Sequence, residues 1–146
     1  MSVDLKAQLK AEENGIPYMY FDSLGMATIA YGRLIDKRKG GHLSDDEMEL
    51  LLDHDIAEKT AEVMHALPWA ATLNEARQAV LIGMAFQMGT AGLLTFKFTL
   101  ANVRGGFYEL AAAAMVQSKW AAQTPARAQR LARQMTTGEF QMPGVQ

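Results

Sequence analysis

The sequence predicts an α+β fold, mostly helical, with a small antiparallel β-sheet near the N-terminus and a helical C-terminal lobe. Three observations carry this. Apolar residues recur at helical spacing along most of the chain, whereas one stretch, residues 16–35, turns to aromatic and β-branched residues broken by turn signals. The length of 146 residues suits one domain of ordinary size. A single domain over 1–146 is therefore expected, with a helix and β region at about 1–40, a connecting helix at 44–67 and a helical lobe at 70–140.

The elements follow in order. Val3, Leu5 and Leu9 recur after Ser2, a good N-cap, and Asn14-Gly15 with Pro17 ends the pattern, so a helix is expected over about 3–13. Asp22-Ser23-Leu24-Gly25 reads as the turn of a hairpin whose returning strand is Thr28-Ile29-Ala30-Tyr31. After the loop Lys37-Arg38-Lys39-Gly40-Gly41, Ser44 and Glu47 stand at capping-box spacing, and a helix of about 22 residues should run to just before Pro68. Asn74 should cap a central buried helix that Gly89 closes. Shorter helices are expected at about 93–104 and 107–117, divided by Gly105-Gly106. Thr124 as N-cap, with Pro125 at the first helical position, should start a last helix ending near Thr136.

Composition excludes several classes. With no Cys, the chain has neither disulfides nor thiol nucleophiles nor thiolate zinc sites. His42, His54 and His65 lack metal-ligand spacing, and Asp53-His54-Asp55 reads as a solvated helix face, so no metal and no cofactor are expected. Gly105-Gly106 lacks the strand and glycine spacing of a phosphate loop. Met64, Met84, Met88 and Met115 read as core filling, Trp120 as packing beneath the last helix rather than stacking on a sugar, and Trp69, beside Pro68, as either a packed loop residue or an exposed ring. With Asp4, Glu12 and Glu13 in the N-terminal stretch no signal peptide is expected, and no apolar run is long enough to span a membrane.

The net charge of −2 hides a gradient. Residues 1–62 hold 13 acids against 7 bases, a balance of −6, and residues 63–146 hold 3 against 7, a balance of +4. Arg127, Arg130 and Arg133 fall in the last predicted helix, which makes an anionic polymer or an anionic outer membrane a candidate partner. No nucleic acid is expected, because no reading motif accompanies the charge.

One set of residues can carry chemistry. Glu13 falls in the last turn of the first predicted helix, where the negative end of the dipole disfavours its ionised form and suits it to a general acid. Asp22 lies nine positions on at the hairpin turn, and Thr28 six later in the returning strand. Two carboxyls and a hydroxyl brought to one cavity meet the needs of glycoside hydrolysis.

The segment from Glu13-Asn14-Gly15 through Asp22-Ser23-Leu24-Gly25 to Thr28-Ile29-Ala30-Tyr31-Gly32 resembles the signature of the T-even phage lysozyme family, the phage-type muramidases of glycoside hydrolase family 24. Phe86-Gln87-Met88-Gly89 and the run from Ser118 to Ala128 agree in order and spacing. The resemblance implies a lysozyme-like fold and a bacteriolytic, antimicrobial endolysin. Such an enzyme cuts the β-1,4 bond between N-acetylmuramic acid and N-acetylglucosamine in peptidoglycan, as a monomer and without cofactor. It implies Glu13 as general acid, Asp22 as the carboxylate that positions or activates water, and Thr28 as the hydroxyl that helps hold it. Leu34, Phe86, Gln87 and Thr99 would line the saccharide cleft, and Arg127 would pair with Glu13. Synthesis in the host cytoplasm and release to the wall by a holin-like agent are implied as well.

Arg33 stands where the family often has His, and Ala114 where it presents a polar side chain to substrate. Two further readings stay open: lytic transglycosylation, in which one acid suffices, and a dual-mode bactericidal protein acting through its basic C-terminal helix.

Overall fold

The fold is that of a computed structural model which describes residues 6–8, 10–11, 15–35 and 41–144. Residues 6–8 and 10–11 are helical, as expected; the rest of the predicted 3–13 helix, Glu13 included, and residues 37–40 of the basic loop lie outside the described residues. The chain divides into two compact units, Met1–Leu51 and Leu52–Gln146.

In the first unit β1 (Ile16–Phe21), β2 (Ala27–Ala30) and β3 (Arg33–Leu34) make an antiparallel sheet in the order β1-β2-β3. The turn between β1 and β2 is closed by the Gly25 N–H, which donates to the Asp22 carbonyl at 2.9 Å. Tyr20 pairs with Thr28 and Thr28 with Leu34, so these three side chains form one cross-strand row on one face. The register slips between Ile16 and Tyr20, where Pro17 has no N–H to offer a ladder. Gly15 leads into this strand with the Tyr31 ring against it: a Cβ on Gly15 would lie 2.7 Å from the ring's Cζ, so the ring in this position packs on a residue without a side chain.

Helix α1 (Asp45–Ala66) starts with the expected reciprocal cap: the Ser44 N–H donates to Glu47 Oε1 at 3.0 Å, and the Glu47 N–H to Ser44 Oγ at 3.2 Å. Glu47 Oε2 accepts from the Arg33 guanidinium, so Arg33 of β3 is ion-paired to the start of the helix. The boundary between the units falls within this helix.

The second unit continues with a 3-10 turn (Pro68–Thr72), α2 (Glu75–Leu94), α3 (Lys97–Gly105), α4 (Tyr108–Val116), α5 (Lys119–Gln123) and α6 (Pro125–Thr137). Leu81, Met84, Leu93, Met115 and Met135 are fully buried at its centre, so the methionines that reach the core do fill it; Met64 and Met88 pack against it half-buried. Trp120 is buried with its ring edge-on to Phe96, and Trp69 is half-buried against the same core. Asn74 caps α2 as expected, accepting from the Arg77 N–H at 3.0 Å.

Arg77 then reaches the end of α6, donating to the carbonyls of Met135 at 2.8 Å and Thr136 at 3.0 Å while its guanidinium lies 3.7 Å from the Tyr108 ring centre. A cation there satisfies carbonyls that a helix end leaves without partners. Buried Gln134 completes the tie by donating to the Ala76 carbonyl at 2.8 Å.

Two expectations are corrected. Gly89 does not close α2; it breaks it, with φ 81° and ψ 156°, and helix resumes to Leu94 because Leu93 is drawn into the core. Thr124 is not a side-chain N-cap: its hydroxyl donates backward to the Trp120 carbonyl at 3.1 Å, since a single residue separates α5 from α6 and the earlier helix claims it. Pro125 does occupy the first turn of α6.

Candidate active site

Asp22 opens the β1–β2 turn, and its side chain folds onto the turn's own backbone. Oδ1 accepts from the N–H groups of Leu24 and Met26, both at 2.9 Å, the side-chain turn that suits aspartate to this position. Both bonds fall on one oxygen. Thr28 is buried in the returning strand, where its hydroxyl donates to the Met26 carbonyl at 2.9 Å. That carbonyl also accepts from the Asp22 N–H at 2.9 Å. Met26 therefore ties both side chains through its backbone, which fixes the carboxylate and leaves the hydroxyl oxygen's lone pairs as acceptors. Leu34 lies beside Thr28 in the cross-strand row, with Tyr20 on the other side. Glu13 lies outside the described residues.

In the second unit Phe86 and Arg127 line one cavity of about 390 Å³, together with Leu52, Ile56, Ile82 and Phe140. Its polar groups beside Arg127 are Glu75 and Gln78. Gln87 is held by its neighbour: Trp120 Nε1 donates to Gln87 Oε1 at 3.0 Å, which leaves the amide N–H₂ of Gln87 as a donor pair. Thr99 is 4% exposed, so α3 carries it turned inward. Ala114 is half-buried on α4.

Thus Asp22, Thr28 and Leu34 come together in the first unit, and Phe86 and Arg127 in the second. Gln87 is joined to Trp120, and Thr99 stands apart in the packing. Sequence reasoning missed Tyr20 and the Met26 backbone; only strand register and turn geometry reveal them. It also missed Glu62. Thr90, the residue after the Gly89 break, donates its hydroxyl to Glu62 Oε2 at 2.6 Å, and Lys59 Nζ donates to the same oxygen at 3.1 Å. The Thr90 bond and the Lys59 ammonium hold the Glu62 carboxyl below the usual glutamate range. The trio His54, Asp55 and Glu58 brings potential metal donors within 4.8 Å of one another, but all three are exposed, in keeping with a solvated helix face.

The family model for phage lysozyme matches residues 10–136. The chain belongs to the phage lysozyme family. It is 30% identical over 165 aligned positions to a probable T4-type lysozyme 1 of Dictyostelium discoideum, covering 94% of this chain and 96% of that protein. A probable T4-type lysozyme 2 of the same organism is 28% identical over the same shares of the two chains. The pre-baseplate central spike protein Gp5 of Enterobacteria phage T4 is 27% identical along 99% of this chain, which spans 30% of that protein's length. Membership gives a lysozyme-type, peptidoglycan-degrading function, and with it the chemistry of a glycoside hydrolase. The matched stretch contains Glu13, Asp22, Thr28, Phe86, Gln87, Thr99 and Arg127.

Proposed function

We propose that the chain is a single-domain endolysin that hydrolyses the β-1,4 bond between N-acetylmuramic acid and N-acetylglucosamine, with Glu13 as general acid and Asp22 with Thr28 as the water-holding pair. The observation that carries this is the Met26 tie. A water has two O–H groups; Asp22 Oδ2 and the Thr28 oxygen, both acceptors, take one each, and the water's lone pair is left to face the sugar. Glu13 protonates the departing oxygen, and the Asp22 carboxylate draws the proton from the attacking water. An inverting outcome follows if the two carboxyls stand about 6.5–9.5 Å apart, the room a water needs.

Leu34, Phe86 and Gln87 supply saccharide contacts on this account, the Gln87 amide donating to a sugar oxygen while Trp120 holds its carbonyl end. Arg127 supplies a cationic group to the substrate from the second unit. Thr99, turned inward, supports the cleft wall. The enzyme acts as a monomer on the wall after a holin-like agent releases it from the host cytoplasm.

The test is digestion of purified peptidoglycan by the native chain and by Glu13→Gln and Asp22→Asn. Loss of activity in both variants, with melting temperatures kept, is the expected result; full activity of Glu13→Gln overturns the assignment. Anhydromuramyl products would establish the alternative, lytic transglycosylation.

The second reading, killing through the basic helix, has the exposed Arg133 and half-exposed Arg127 and Arg130 on α6 in its favour. Against it, Ala128, Ala132 and Met135 on the same helix are buried in the core, so α6 offers charge and little apolar surface. Killing by the Glu13→Gln protein, abolished by Arg130→Glu with Arg133→Glu, would support it.

A further inference from the structure

Helix α4 departs from an ordinary surface helix, which buries its apolar side and exposes a charged one, in being apolar on both sides. It sends Ala111, Ala112 and Met115 into the core, yet its outward residues Leu110, Ala113 and Val116 are apolar too, with Glu109 as the one charge. Leu110 is 54% and Val116 44% exposed. At the preceding turn Phe107 is 60% exposed and its ring lies over Gly105, where a Cβ would meet Cδ2 at 2.9 Å. Phe107 and Leu110 line one shallow depression. On α3 the outward side carries Phe98, 65% exposed, while Thr99, Leu100 and Val103 point inward.

Cations accompany each of these apolar groups. Lys97 adjoins Phe98, Arg104 precedes Phe107 by three residues and Lys119 follows Val116 by three. All three are exposed, and none enters an ion pair among the described residues. Against them stands Glu109 alone on these outward positions.

We propose that the outward side of α3 and α4 docks on an anionic phospholipid bilayer, Phe107 and Leu110 entering the acyl boundary while Arg104 and Lys119 pair with lipid phosphates. Charge complementarity favours this occupant. Size argues against a protein partner: α3 and α4 are nine residues each, about 13 Å long and about 10 Å across, so together they present on the order of 300 Å², well short of the roughly 800 Å² per partner that a stable interface takes. Chemistry argues against glycan, since Leu110, Ala113 and Val116 offer sugar hydroxyls no donor or acceptor. Adsorption is the mode, because among the described residues no single helix is long and apolar enough to cross a membrane. The depression borders α6 at Thr136 but holds none of the α6 arginines and none of the residues assigned to catalysis, so the surface goes beyond the proposed wall-degrading activity.

The experiment is co-sedimentation of the full chain with vesicles of phosphatidylglycerol and phosphatidylcholine, with phosphatidylcholine alone as control. Binding to the anionic vesicles that weakens with salt is expected, and none to the neutral ones. Phe107→Ser with Leu110→Gln should lower it at least about tenfold. Arg104→Gln with Lys119→Gln should lower it too, and Glu109→Gln should raise it. All three variants should degrade purified peptidoglycan at the native rate, which separates this proposal from the catalytic one. The proposal is overturned by any of four results: no binding to anionic vesicles, unchanged binding by the Phe107 and Leu110 variant, capture by lipopolysaccharide alone, or a dimer that the same variant dissociates.

Discussion

Met26 contributes no side-chain chemistry to the proposed site, yet its N–H and carbonyl hold the two groups on which water activation depends. Thr28→Ser keeps the hydroxyl and should keep most activity. Thr28→Val removes it, and kcat should fall by about a hundredfold, the usual cost of misplacing a reacting group, with little change in KM; steady-state kinetics on soluble glycan fragments reads the split. A second residue-scale expectation concerns Glu62, whose folded pKa lies below its unfolded value because Thr90 and Lys59 favour the carboxylate. Its stabilisation is complete above the unfolded pKa and is lost as pH falls through the folded one. Glu62→Gln should therefore flatten the acid limb of a plot of melting temperature against pH, and by a small amount, since the group is solvent-exposed. Asp22 and Thr28 were legible in the sequence as residue types at a spacing. Their shared anchor was not, because a backbone bridge leaves no mark on residue identity.

Among the elements, α2 decides most. It carries Leu81 and Met84 in the core, Phe86 and Gln87 at the proposed cleft, and the break at Gly89. The break has φ 81° and ψ 156°, a region essentially confined to glycine. Gly89→Ala should cost about 1–3 kcal/mol by urea unfolding and, by moving Thr90 off Glu62, disturb the turn that follows Gln87. Leu81→Ala should cost about 2–5 kcal/mol, the range for emptying a packed core site, without a matching change in the kcat of the folded fraction. The caps at Ser44 and Asn74 could be read in advance because each depends on residues within one turn. Gly89 and Thr124 could not. A glycine stops a helix by local rules, but here Leu93 packs into the core beyond it, and Thr124 sits between two helices that compete for one hydroxyl.

At the scale of the molecule, the charge gradient acquires particular bearers. The acidic N-terminal portion supplies Asp22 and the proposed acid Glu13; the basic portion supplies Arg127 and two cationic surfaces, one on α6 and one around α3 and α4. The sheet near the N-terminus and the helices after it could be read from pattern alone, since period-two and helical spacing are properties of long stretches. The apolar exterior of α4 is not legible in the sequence, because Leu110, Ala113 and Val116 are of the same apolar character as Ala111, Ala112 and Met115, which fill the core. The central claim is hydrolysis of the glycan by Glu13 with water as acceptor. Mass spectrometry of purified peptidoglycan digested by the native chain and by Glu13→Gln tests it most directly. The account expects muramic acid reducing ends from the native chain and intact glycan from the variant. Anhydromuramyl ends, lighter by a water, or reducing ends at the native rate from Glu13→Gln would contradict it.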